Sequence, residues 1–589
     1  MKEERPQDNP NKTYSMEKNK HMKRIVCILG LGGCVLGMQA QYDQEIISIG
    51  DRTLTVDAAF KISDLPHTLD SVYQTSELEY QLMPRQVEVT YEPKEIKAAK
   101  LKVIEPLTKL YRGYAKAGVG LYTTPLLEVH YNSIRNRDWA YGIDLRHFSS
   151  QGGLKDVADN AYGENHFGAW AKKYVNKHTL EGGLSYDLDR IHYYGFDPGD
   201  VEIGRGAYRQ DYRTFKGYFE VESHYRDSAK VQHRGYVDVR NTKADIDVNE
   251  SNYVLGGEAA KTIDDYRFGI KGILDINSFD QGSIQAFYIA ASQDSAAIDL
   301  EDFRNTIFRL EPSIHARKGD LTVNIGLGIA VDGGGEKTIW HLYPQAYLSY
   351  SLFDDLFTPY AGLTGGLQRN SFYSLSQENP FIHNANVLMN TSKDLELYAG
   401  IRGTIFDNLG FNARVSVENY DDFAFYVNDT LFSAENKFAV LYDDLRVVRV
   451  AGELTYIHDE RLTLAGRLEF ASNTADDFEE AFNLPGVQFT LDGRYDLDDR
   501  FVVKAQVFAV GKRFGGTMMP GENDEVELGR FYPVELRSYV DGSLGLEYRY
   551  TKRISAWLDF NNLTGGRYPR WHAYPVQSVL VMGGLSYSF

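Results

Sequence analysis

Cysteine is nearly missing from this 589-residue chain: there are two, Cys27 and Cys34, both within the first 40 residues. If the chain is cut after Ala40 the remainder carries no thiol, which excludes a disulfide framework and a thiolate metal site. Beyond that segment there is no run of ~18 uninterrupted apolar residues, so no membrane-crossing helix is expected. No interior linker rich in Pro, Ser or Gly divides the chain, which argues for one large body. Positive charge is short as well. The formal net charge is −19, and without clustered Lys and Arg a nucleic-acid groove is excluded.

Motifs of chemistry are equally scarce. The 14 histidines are dispersed and never stand at i and i+4 on a helix with Glu, so a zinc-protease motif is absent. Gly118-Val-Gly120 and the glycines from Gly362 to Gly366 lie in strand pattern with no helix after them, unlike nucleotide loops. Val331-Asp-Gly-Gly-Gly-Glu336 reads as a loop tip. Ser543 sits in Asp-Gly-Ser-Leu-Gly, which is not a nucleophile elbow. No catalytic residue, resident metal or cofactor is expected.

What is present begins with an export signal. His21-Met-Lys-Arg24 is followed by the apolar IVCILGLGGCVLGM and then Gln39-Ala-Gln41, the charged, hydrophobic and small-residue parts of a secretory leader. Translation starting at Met16 or Met22 would remove the polar residues ahead of it. Leu31-Gly-Gly-Cys34 is a rival lipoprotein box, but the apolar residues after Cys34 continue the signal core.

The rest alternates. In 345–352 Ala346, Leu348, Tyr350 and Leu352 oppose Gln345, Tyr347, Ser349 and Ser351. In 411–418 Phe411, Ala413, Val415 and Val417 oppose Asn412, Arg414, Ser416 and Glu418. In 543–550 Leu544, Leu546, Tyr548 and Tyr550 oppose Ser543, Gly545, Glu547 and Arg549. The chain ends VMGGLSYSF with Phe589, Tyr587 and Leu585 on one face. Strands apolar on one side and polar on the other fit a membrane barrel, which keeps its polar groups inside; this also reconciles a mean hydropathy of −0.39 with membrane residence. A soluble sandwich can alternate in the same way.

Turn chemistry separates the two. Short polar turns are expected at Asn176-Lys-His178, Asp264-Asp265, Lys318-Gly-Asp320, Asp354-Asp355, Asp407-Asn408, His458-Asp-Glu460, Asp498-Asp-Arg500 and Thr551-Lys-Arg553. Two more are expected at Arg135-Asn-Arg-Asp138 and Arg226-Asp-Ser228. Long connections lie at 149–165, 196–210, 370–394 and 516–533. Tight turns at one rim and long loops at the other are the asymmetry of outer-membrane barrels. Tyr350, Tyr456, Tyr495, Tyr548, Tyr550, Tyr587 and Phe589 recur beside the short turns as an interfacial girdle. Ten turns give an all-β, closed antiparallel transmembrane β-barrel of about 22 strands, within 20–24 because 266–304 is ambiguous.

The signal, the strand number, the stretch Asn562-Leu-Thr-Gly-Gly-Arg-Tyr568 and the terminal strand ending in Phe589 together resemble the barrel of TonB-dependent receptors, over about 111–589. That resemblance implies residence in the outer membrane, contact with lipopolysaccharide and insertion by the barrel-assembly machinery, which reads a terminal aromatic strand. It also implies solute uptake across the membrane. The front departs from the family. Residues 1–40 are leader and signal, and 41–110 are too few for a full plug domain. Within them Thr53, Leu54, Thr55 and Val56, in Arg52-Thr-Leu-Thr-Val-Asp-Ala58, are similar to a TonB box that pairs with TonB by strand addition. An ordinary exposed β-prone stretch is the other reading.

Two sets of residues are candidates for function. Arg567, Tyr568, Arg570, Trp571 and Tyr574, in the last long loop, combine forked donors with flat rings and suit a polar ligand. The same residues suit an aromatic belt with lipopolysaccharide phosphates on the arginines. Arg414, Glu418, Glu547 and Arg549 fall on the polar face and are expected to line the lumen. Three functions follow: uptake of a solute, a passive porin, or an assembly partner in an outer-membrane complex with a lipoprotein.

Overall fold

The computed structural model describes residues 110–589 apart from 197–198, 200–203, 205, 207, 228, 286–296, 335–336, 354, 407, 430–432, 434–435, 460 and 519–530. The signal segment, the stretch Thr53 to Val56 and the remainder of the 41–109 region lie outside the described residues.

One sheet of 24 strands, antiparallel apart from a two-residue parallel contact of Val427 and Asn428 with Gly516 and Thr517, closes on itself. Two of these strands, Arg513–Met518 and Phe531–Leu536, pair with each other as the outward continuation of the hairpin Phe501–Val510 and Tyr539–Arg549. Setting them aside leaves 22 strands that cross. Closure joins Gly113–Gly120 to Leu580–Ser588, in register from Tyr114 opposite Ser588 to Gly120 opposite Met582. Phe589 completes the seam: its N–H donates to the Gly113 carbonyl and its carbonyl accepts from the Gly113 N–H, each at 2.9 Å. Glycine is required there, since a Cβ on Gly584 would lie 2.0 Å from the Ala117 carbonyl and one on Gly118 would strike the Trp557 ring.

All ten expected turns fall between consecutive strands at one rim. Ser228, Asp354, Asp407 and Glu460 are themselves outside the described residues, but the flanking strands bracket each of those turns. The residue types follow from the backbone. Asn176, Asp264, Asp355, Asp459 and Asp498 have φ between 47° and 66°, the left-handed region that Asn and Asp tolerate better than other side chains. The ambiguous interval also resolves. Tyr266–Asp280 pairs directly with Phe303–Lys318, and 281–302 is a loop holding the short hairpin Ser283–Gln285 with Ala297–Asp299.

Alternation places apolar side chains outward, where they touch one another along the sheet and leave about half their surface uncovered. Leu348 is 50 % exposed and Val415 46 %, while their neighbours Ser349 and Ser416 are buried on the inner face. The outward set, from Leu184 and Leu255 to Ile325 and Leu454, forms a belt that only lipid can cover. Tyr350, Tyr495, Tyr548, Tyr550, Tyr587 and Phe589 are exposed near the short-turn rim, with Tyr456 half-exposed among them. The barrel therefore sits in the outer membrane with its short turns on the periplasmic side.

The wall is uneven. Strands beside the seam have 8 or 9 residues, whereas Leu409–Asn428 has 20 and Phe438–His458 has 21. The outward ends of these tall strands bury Phe425, Val427, Leu445 and Val447 against Phe482 of the following loop.

Replacing Val415 by Arg is expected to cost about 2–4 kcal/mol near the midplane, and replacing Leu348, two residues from the girdle tyrosine Tyr350, about 1–2 kcal/mol. Gln345→Arg, on the inner face of the same strand as Leu348, is expected to cost well under ~1 kcal/mol. Urea refolding into vesicles measures both; equal costs would deny the outward face its lipid.

Candidate functional site

The lumenal wall is built from ion pairs that run between neighbouring strands. Arg449 pairs with Glu418 at 2.9 Å and Glu469 at 3.0 Å, and Arg467 with Glu469 at 2.7 Å and Glu453 at 3.3 Å. Arg414 pairs with Glu396 and lies 4.1 Å over the Tyr398 ring. Glu418 also accepts from Ser416 and Tyr420. Nearer the periplasm Arg549 bridges Asp496 at 3.1 Å and Glu547 at 3.4 Å. Lys393 joins the Arg414 pair to the Glu418 group, pairing with Glu396 at 2.9 Å and lying 5.3 Å from the centre of the Tyr420 ring, so Arg414 and Glu418 belong to one connected patch of wall, and Glu547 and Arg549 to another.

At the outward end the loop 369–390 turns into the barrel. Its entry is fixed by Arg369, which pairs with the Asp275 carboxylate at 2.9 Å and donates to Asn305 Oδ1 at 2.7 Å. A short helix follows, Phe372–Glu378, opened by a Ser371–Ser374 capping box. Its first amides are met from the wall: Phe372 N–H and Tyr373 N–H each donate at 2.9 Å to the two oxygens of Glu250. Glu250 is 1 % exposed and also accepts from Asn277 at 2.9 Å. Arg240 stands beside it at 4.0 Å and covers the Tyr373 ring at 4.2 Å. A buried carboxylate paired with helix amides and an arginine is stable where an isolated one would not be.

The loop then spans the mouth. Tyr193 and Tyr212 hydroxyls donate to the carbonyls of Ile382 and Pro380 at 3.1 and 2.6 Å, and Ile382 bridges to Phe438 on the far side. Arg209–Ser223 is the sixth crossing strand and Phe438–His458 the sixteenth, ten places apart on a ring of 22. A loop in contact with both must cross the lumen. Its apolar side chains join Phe279, Tyr426 and Phe438 of the wall in one buried cluster.

Trp571 and Tyr574 belong to this cluster. Tyr574 is 1 % exposed, stacks on Phe381 at 3.7 Å and donates its hydroxyl to the Asn436 carbonyl. Trp571 packs against Tyr426 and Phe438. Tyr568 is half-buried, stacked on Tyr539 at 3.8 Å and donating to Asp541 at 2.7 Å. Arg567 and Arg570 are exposed. The five loop residues are therefore split: two rings inside the cap, one against the wall, two arginines in solvent. The stretch from Asn562 to Tyr568 acts as a staple, because the Asn562 amide donates to the Gly566 and Gln577 carbonyls, each at 2.7 Å.

No protein-family model matches this chain, and no curated protein matches it. Solved structures do. The ferripyoverdine receptor of the outer membrane of Pseudomonas aeruginosa superposes with a TM-score of 0.60 at 12 % identity, over 82 % of this chain and 72 % of that one. The FrpB iron transporter from Neisseria meningitidis gives 0.62 at 9 %, over 82 % and 83 %. The siderophore receptor PirA from Acinetobacter baumannii gives 0.61 at 11 %, over 82 % and 81 %. The likeness is one of fold.

Sequence reasoning passed over Glu250, Asp275, Arg240 and Arg369, which build the cap. A signal existed in the loop itself: Phe372, Leu375, Phe381 and Ile382 are too apolar for a solvated connection. Glu250→Ala is expected to leave two helix amides and the Asn277 amide without their acceptor and Arg240 without its opposite charge, at a cost of about 1.5–3 kcal/mol. Limited proteolysis of intact cells should then cut within 369–390 while barrel abundance is unchanged.

His383 gives the cap a pH dependence. It is 2 % exposed, and burial, reinforced by Lys437, pushes it down to about 3. The Asp429 carboxylate, 3.6 Å from Nε2, acts in the opposite direction and is outweighed. A free imidazole takes its proton near 6.5, so the preference for the packed loop is complete above that pH and is lost as pH falls towards 3. By pH 5 the packed loop should be weakened by about 2 kcal/mol. Hydrogen exchange of the 380–388 amides, corrected for intrinsic rates, should accelerate between pH 7 and pH 5.

Proposed function

We propose that this chain is an uptake barrel of TonB-receptor type, admitting a solute across the outer membrane through a mouth that must be opened. The observation that carries this reading is the inward loop 369–390, held by Arg369 and Glu250 and packed across the lumen from the sixth strand to the sixteenth. A passive porin keeps its lumen in contact with water from end to end, and a buried aromatic cluster across the mouth opposes that. The fold shared with the ferripyoverdine receptor, FrpB and PirA supports receptor-like uptake, and makes a ferric siderophore the first solute to try.

TonB is the partner that the stretch Thr53 to Val56 would engage, by adding a strand to the TonB sheet. Insertion by the barrel-assembly machinery and contact of Arg567 and Arg570 with lipopolysaccharide phosphates belong to the same proposal. A second reading, an assembly partner for a surface lipoprotein, is favoured by the tall wall from Leu409–Asn428 to Leu462–Ala475.

Leu54→Pro removes a backbone donor from the pairing segment, and is expected to abolish uptake of a radiolabelled ferric siderophore at unchanged barrel abundance. Wild-type protein in a planar bilayer should conduct far less than an open barrel of about 22 strands. Uptake that survives the proline, together with large steady conductance, would leave the pore; silence in both assays with any solute would leave the scaffold.

A further inference from the structure

The outer face of the periplasmic rim carries two imidazoles that are 55 residues apart in the chain. His178 opens the strand His178–His192, and His233 is the second residue of Gln232–Ala244. Between them Arg209–Ser223 ends in Ser223, which stands opposite His178 in register and accepts the His233 N–H on its Oγ at 2.7 Å. Strand alternation puts His178 on the side of Leu184 and Tyr186, and His233 on the side of Val237, all exposed on the lipid face. Serine is small enough for the rings to meet above it, with centroids 5.2 Å apart and planes tilted by 46°.

Their Nε2 atoms face each other at 3.3 Å. With a proton on one of the two nitrogens the contact is a long hydrogen bond; with a lone pair on each it is open to a cation. The distance is that expected across a tetrahedral cation, since metal–nitrogen bonds of about 2.0–2.1 Å place two ligand nitrogens roughly 3.3–3.4 Å apart; tetragonal Cu²⁺ needs roughly 2.8–2.9 Å, which a small rotation of the two rings at the rim supplies. His233 Nδ1 lies 3.3 Å from the Val231 carbonyl, which can only accept, so this contact favours the tautomer with the proton on Nδ1 and a lone pair on Nε2. A backbone carbonyl behind the distal nitrogen is the usual support of a ligating histidine.

We propose that His178 and His233 form a binding site for a divalent transition-metal cation of the Zn²⁺ or Cu²⁺ type, with water completing the coordination. No group of three or more His, Cys, Asp or Glu side chains converges among the described residues, so the two imidazoles are the protein donors. Lys177 and Lys230 lie 5.8 and 5.6 Å from the Tyr225 ring beside them, and their charge holds the affinity to a modest level. His224 is the internal control: it points to the opposite face, where Nε2 meets Thr179 Oγ1 at 2.7 Å.

The test is a Cu²⁺ titration of the purified full chain in detergent, followed by electron paramagnetic resonance. Wild-type protein should show a site with two equatorial nitrogens. H178Q and H233Q should each remove that signature and weaken binding at least about tenfold, with H178N and H233N used if a glutamine variant does not assemble. H224Q should bind as wild type. Absence of a two-nitrogen signal, or equal binding by the His178 and His233 variants, would overturn the site.

Discussion

In hydrocarbon an unpaired peptide N–H or C=O costs several kcal/mol, so a sheet can cross a membrane only if it has no edge. Here the last two edges are removed by the pairing of Gly113–Gly120 with Leu580–Ser588. The other crossing strands are joined to one another in chain order through turns or loops; among the described residues this seam joins strands some 470 positions apart (from Tyr114 to Ser588). Its glycines follow from that closeness, because Gly118 and Gly584 lie where a Cβ would meet a ring or a carbonyl.

The inner wall solves a different problem. A lumen lined by charge would repel or trap ions unless the charges answer one another. Glu418, Arg449, Glu469 and Arg467 do so as a connected chain. At the mouth Asp275 and Glu250, each beside a wall arginine, also hold Arg369 and the helix amides of the inward loop. The cap is held by the wall as much as by its own core.

What was legible in the sequence is what repeats. Outward Leu348 and Val415, inward Ser349 and Ser416, and the Asn, Asp and Gly of the turns are local signals with period two and fixed backbone demands, and the strand number follows from them. The cap was not legible, because its determinants lie far apart: Glu250 meets Phe372 across 122 residues, and Tyr574 meets Asn436 across 138. Aromatic residues in a loop look alike whether they bind a ligand, line a belt or fill a core. By residue type Trp571 and Tyr574 suit the first two, and the structure buries both in the core of the cap. The continuation of one hairpin beyond Val510 was hidden too, since its pairing resumes at Arg513–Met518 after a gap that reads as a turn. His178 and His233 meet only through the register of three strands.

The uneven wall has a consequence for the bilayer. Strands of 8 or 9 residues on both sides of the seam, at about 3.3 Å per residue and a tilt near 45°, rise roughly 19–21 Å. The usual apolar band of such barrels is about 25 Å tall. Lipid next to the seam must shorten to meet it, at a fraction of a kcal/mol per Å of mismatch, while lipid beside Leu409–Asn428 is under no such demand. The protein therefore imposes a thickness gradient on the membrane around it, with the most compressed and least ordered lipid lying against the join that closes the barrel.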